Sequence, residues 1–168
     1  PNISRLRYIL RNLHLFYRMF AGATSFNRSL TSWDVSKVTD MCYMFAGATS
    51  FQGHISKWNV EQVVNMQGMF SAGSFKGGIS SWDVGSVVDM SFMFADSALF
   101  NVDLSSWDLS SVDNLAYMFY RALSFDQDLC WDVSGKVTEN MFVGSAGGSI
   151  KQGCTYIHPC DDDEAPMV

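Results

Sequence analysis

The dipeptide Met-Phe recurs at Met19-Phe20, Met44-Phe45, Met69-Phe70, Met93-Phe94, Met118-Phe119 and Met141-Phe142, in steps of 25, 25, 24, 25 and 23 residues. The five tryptophans, Trp33, Trp58, Trp82, Trp107 and Trp131, keep the same beat. Between these marks each column holds its chemistry. Phe26, Phe51, Phe75, Phe100 and Phe125 form one column, and Leu30, Ile55, Ile79, Leu104 and Leu129 another. Val35, Val60, Val84, Leu109 and Val133 follow, then Val38, Val63, Val87, Val112 and Val137, then Met41, Met66, Met90 and Leu115. A period near 25 constrains the fold severely. No single copy can bury its apolar side chains, so copies must stack and share one core.

The period and the alternation predict an α/β repeat: a right-handed leucine-rich-repeat-like solenoid. Trp and Val alternate about an outward Asp, which predicts short parallel strands on one face, about 4.8 Å apart. The three-residue spacing of Val38, Met41 and Met44 predicts short α or 3₁₀ turns on the other. All five Trp, with Met44, Phe45, Met69, Phe70, Met93, Phe94, Met118 and Phe119, are assigned to the core. Residues 1–18 read as a degenerate coil rich in Arg, serving either as an end cap or as one more diverged repeat. Residues 19–142 hold about five repeats, and 143–168 a Gly-rich exit, a Cys pair and an acidic tail.

The pattern Leu30-x-x-Trp33-x-Val35-x-x-Val38-x-x-Met41-x-x-Met44-Phe45-x-x-Ala48-x-x-Phe51 resembles the BspA-like leucine-rich-repeat surface proteins. More narrowly, it resembles their Met-Phe/Trp-Asp-Val-Ser variant, found in mycoplasma lipoproteins and other microbial surface proteins. The resemblance spans residues 19–142 and implies an extracellular or cell-surface location. The chain begins without Met or a signal peptide, so it is read as a fragment or mature form.

Composition removes several functions. Hydrophobic residues make up 48% and charged ones 17%, which marks a folding chain. A net charge of -6 gives phosphate backbones no electrostatic footprint, so nucleic acid is not an expected partner. No apolar run reaches 18 residues, so no transmembrane segment is expected in this chain. No nucleophile elbow, Walker loop or dinucleotide fingerprint occurs, and His14, His54 and His158 do not recur with the repeat. The chain is therefore read as non-enzymatic, without a cofactor or metal; a hydrolase built on the repeat is the outlying alternative. Cys42 and Cys130 stand about three and a half repeats apart, too far to bridge. Cys154 and Cys160 are the disulfide candidate, with a zinc set completed by His158 as the weaker reading.

One polar column remains: Asp34, Asn59, Asp83, Asp108 and Asp132. It is read either as turn-capping Asx residues or as a ligand- or cation-binding stripe. A second column, Asp40, Asn65, Asp89, Asn114 and Glu139, reads as capping at the start of the helical turn. The candidate binding face comprises Lys57, Asn59, Glu61, Asp83 and Asp108, flanked by Asp34 and Asp132, and would hold a surface protein or glycan in an adhesion-like role. The competing reading is a structural spacer within a larger surface protein.

Overall fold

A computed structural model describes residues 15–151. It corrects the expected architecture. Among the described residues there is no helix, and the strands are β1 (Asp128–Leu129) and β2 (Ser149–Ile150), a parallel pair. The Trp-Asp-Val stretches form no strand ladder, and the segments from Val38 to Met44 form no helical turn. The chain is therefore not an α/β solenoid with strands on one face and helical turns on the other.

The repeats are joined where helix was expected. Isolated parallel bridges run Leu15–Asp40–Asn65–Asp89–Asn114–Val137. From each bridge the backbone makes three overlapping turns. In the second copy the N–H groups of Met44, Ala46 and Ala48 donate to the carbonyls of Met41, Tyr43 and Phe45, at 3.1, 3.2 and 3.0 Å. The alternate N–H groups, of Met41, Tyr43, Phe45 and Gly47, point to the next copy. They donate to Asn65, Gln67, Met69 and Ser71 at 2.8–2.9 Å. The same four bonds recur at every junction from Phe16 to Val143. Nearly every backbone group in this ladder is thus paired, half within its own copy and half with a neighbour.

The first and third turns of each copy carry a left-handed third residue. Positive φ falls on Arg18, Tyr43, Gly68, Phe92, Tyr117 and Asn140, and again on Gly22, Gly47, Ala72, Asp96, Arg121 and Gly144. This explains the misread spacing. An i, i+3 apolar pair marks either a helical turn or the two inward corners of a β-turn. Helix requires the following N–H to continue the series, and here the positive φ breaks it.

The core columns are continuous. Phe20, Phe45, Phe70, Phe94, Phe119 and Phe142 stack with centroids 5.4–5.8 Å apart and planes within 7°. The Phe51 column lies against them, as in Phe45–Phe51 at 4.0 Å and Phe94–Phe100 at 3.8 Å. Met44, Met69, Met93 and Met118 are fully buried, and all five Trp lie at 8% exposure or less. On the Trp side, copies are tied by side chains. The indole N–H groups of Trp58, Trp82, Trp107 and Trp131 donate to the carbonyls of Leu30, Ile55, Ile79 and Leu104 in the preceding copy, at 3.0–3.2 Å.

The last copy is one residue short, and the structure places the deletion. Val137 was assigned to the buried Val38 column. Instead it bridges Asn114 and is 52% exposed, while the N–H of Lys136 closes the turn onto Val133. Glu139 correspondingly leaves the Asp40 column.

Candidate functional site

Two faces compete for a functional role. The first carries the sequence-chosen residues. Lys57, Asn59, Glu61, Asp83, Asp108, Asp34 and Asp132 are all exposed, along the edge of the Trp side. Each member of the Asp column accepts the N–H two residues on: Ser36 to Asp34 and Glu61 to Asn59 at 3.1 Å, Gly85 to Asp83 at 3.1 Å, Ser110 to Asp108 at 2.8 Å, and Ser134 to Asp132 at 2.9 Å. These are Asx turns, and they give the column a conformational job. Backbone and hydroxyl donation from Ser134 holds the Asp132 carboxyl below the usual range. Asp103 is likewise lowered, by Ser105.

An open groove of about 610 Å³ lies at the end of this face, between Asp108, Ser110, Trp131, Asp132 and Lys136. Lys136 spans it, its ammonium donating to the Val112 carbonyl at 2.7 Å. Cys130 lines the groove and is disulfide-bonded, whereas Cys42 is a buried free thiol, so these two are not joined to each other. The Cys154–Cys160 candidate and His158 lie outside the described residues, as does His14. Among the described residues no three His, Cys, Asp or Glu side chains converge as a metal site would require.

The second face is the turn ladder, which stands where the apolar spacing predicted helical turns. Asp40, Asn65, Asp89 and Asn114 cap it by accepting the N–H of Cys42, Gln67, Ser91 and Ala116 at 2.8–3.0 Å. Those N–H groups belong to the second residue of the first turn and find their partner in the side-chain oxygens, so the capping role is kept although no helix follows. Outward from the ladder stand Arg18, Tyr43, Phe92, Tyr117 and Asn140, all at positive φ. The Arg18 guanidinium lies 5.9 Å from the centroid of the Tyr43 ring. Phe92 and Tyr117 stack at 4.7 Å with planes 2° apart, and the Tyr117 hydroxyl donates to Glu139 at 3.2 Å. Among the described residues, seven of the nine large apolar side chains that stand exposed belong to this face: Leu15, Tyr17, Val64, Val88, Phe92, Val137 and Val143. The Asp face carries none of them. A sequence signal existed: the aromatic residues Tyr43, Phe92 and Tyr117 share the column of Gly68.

Stacked copies with a shared aromatic core, joined by backbone turns on one side and indole N–H groups on the other, define a tandem-repeat protein. The chain belongs to the family described as Mycoplasma protein of unknown function, DUF285, whose model matches residues 7–77 and 71–152. No curated protein and no solved structure matches the chain. No helix among the described residues is long and apolar enough to cross a membrane.

Proposed function

We propose that the chain is a non-enzymatic, surface-displayed repeat module that holds a protein partner along its turn-ladder face. The concentration of exposed apolar side chains on that face carries the reading, because such patches on folded proteins mark contact sites. Strain supports it. A bulky residue in the left-handed region costs about 1–2 kcal/mol relative to glycine, and three aromatic residues occupy that column. The similarity to BspA-like surface repeats and the mycoplasma family supports display at the cell surface. The Asp face, with its carboxylates engaged in turn capping, serves as scaffold.

The test immobilises the intact chain and screens purified surface and matrix proteins beside a glycan array. Tyr17→Ser with Val64→Ser and Val88→Ser is compared with Asp83→Asn plus Asp108→Asn. Loss of protein binding in the first variant alone supports the ladder face. Loss in the second alone returns the contact to the Asp face. Binding to glycans only, or to nothing, refutes the reading, and the latter favours the spacer.

A further inference from the structure

The two halves of the ladder face differ in relief. In the first three copies the last two rows of the ladder hold Ala21, Ala46 and Ser71 beside Gly22, Gly47 and Ala72. A Cβ on Gly22 would meet nothing within 4 Å, and one on Gly47 only the Gly22 backbone, from 3.6 Å, so this half is a shallow trough. In the last three copies the same rows hold Tyr120, Val143, Asp96 and Arg121, with Ala95 and Gly144 as the small members. Asp96 and Arg121 are both exposed and pair at 3.2 Å, which makes this half a ridge without net charge.

A two-fold axis lying in the face, perpendicular to the stack, turns this relief onto itself. It reverses the order of the six copies and keeps each column over its own column, so the first copy meets the sixth, the second the fifth and the third the fourth. Trough then meets ridge: Ala46 stands opposite Tyr120 of a second copy, Gly47 opposite Arg121 and Ala72 opposite Asp96. The exposed apolar groups match as well. Val64 and Val88, 45% and 36% exposed, face each other across the axis, and Leu15 meets Val137, 56% and 52% exposed.

Charge follows the same reversal. The cap column runs Asp40, Asn65, Asp89, Asn114, so each carboxylate is set opposite an amide, Asp40 to Asn114 and Asp89 to Asn65. At the two ends Arg18 comes opposite the Glu139–Asn140 step, an attraction made twice. Among the described residues of these columns no two like charges stand directly opposite. The net charge of -6 does not forbid the contact, because the Asp34 column stands on the Trp side, away from it.

Resting on the ladder-face reading above, we propose that the partner seated on this face is a second copy of the chain, running antiparallel, with the two-fold axis between Val64 and Val88. Matching of shape and charge selects the register. Six copies at about 4.8 Å span only about 24 Å. A contact this short is at the small end of specific interfaces, so a Kd on the order of 10–100 µM is expected.

Sedimentation equilibrium of the full chain, from about 5 to 500 µM, should show the mass rising from 18.8 kDa toward twice that value. Val64→Lys and Val88→Asp each place like charges beside the axis and should weaken association at least about tenfold, while an equimolar mixture of the two brings opposite charges across it and should recover most of the loss. Both sites are exposed, so each variant should melt with the parent. Arg18→Glu, at the far end of the face, should also weaken the dimer by setting a carboxylate opposite Glu139. A parent that stays monomeric throughout, or a mixture no more dimeric than its separate components, overturns the proposal. The chain itself is included among the proteins of the binding screen. If the parent stays monomeric while another protein is lost in the Tyr17, Val64 and Val88 variant, the ladder-face reading stands and the second copy is not its partner. If that variant dimerises as well as the parent, the contact lies off the ladder face and both fall together.

Discussion

Replacing Trp82 separates the two jobs of the tryptophan column. Trp82 is 4% exposed, stacks parallel to Trp58 at 6.4 Å, and donates its indole N–H to Ile55 across the junction at 3.2 Å. The Ile55 carbonyl also accepts the backbone N–H of Trp58 at 3.0 Å, so loss of the indole leaves it half satisfied rather than orphaned. The bond should therefore contribute about 0.5–1.5 kcal/mol. Trp82→Phe also empties roughly 40 Å³, which at about 24 cal/mol per Å³ costs near 1 kcal/mol. The total is about 1.5–2.5 kcal/mol, against about 3–5 for Trp82→Ala. Benzothienylalanine at position 82 keeps the shape and lacks the donor, so it should lose only the hydrogen-bond share. Urea unfolding by far-UV dichroism and fluorescence would measure these losses, with coincident transitions required before a single free energy is taken. A benzothienyl variant as stable as the parent, alongside a fully destabilised Trp82→Phe, would refute the indole tie and leave packing alone.

Other outcomes follow from the turn caps. Asp108→Asn keeps an acceptor for the Ser110 N–H and should change stability by less than about 0.5 kcal/mol. Asp108→Ala should cost up to about 1 kcal/mol by thermal melting, and equal effects would remove the Asx role. The carboxyls of Asp103, Asp128 and Asp132 lie below their usual range, through hydrogen bonds from Ser105, from Ser149 and Lys151, and from Ser134. A depressed carboxylate contributes stability above its unfolded pKa and loses it as pH falls through the folded value. Melting temperature should thus hold between pH 7 and 5 and fall below about pH 4. The triple Asn variant should fall less steeply, and an identical acid profile would sink this attribution.

The column chemistry was open to inspection in the sequence, because stacked copies must place like side chains at like positions. Backbone form was not. Val38, Met41 and Met44 give the same inward spacing from a helix or from linked turns, and Gly22, Gly47 and Gly144 were the clue that left-handed residues recur. Nor did the pattern say that the Trp column ties copies through its N–H, although Trp stands in every copy where Phe would pack. Lys136 shows a third limit. A one-residue deletion can be absorbed at several places, and only the bridge from Asn114 to Val137 decides which valine turns outward. The Asp column was ambiguous for a related reason: Asp34 and its counterparts read either as a displayed stripe or as turn caps, because their partners are backbone N–H groups.

Residue-resolved amide hydrogen exchange tests the stacked-turn ladder most directly. The N–H groups of Met41, Tyr43, Phe45 and Gly47, of Met66, Gly68, Phe70 and Ala72, and of Met90, Phe92, Phe94 and Asp96 are bonded to the next copy. They should exchange together, slowly, and as one unit across junctions. The N–H groups of Asp34, Asn59 and Asp83, on the Trp side where no backbone ladder runs, should exchange much faster. Slow exchange along the Trp-Asp-Val stretches, with fast exchange at Met41, Tyr43 and Phe45, would contradict the ladder and return the strands to the other face.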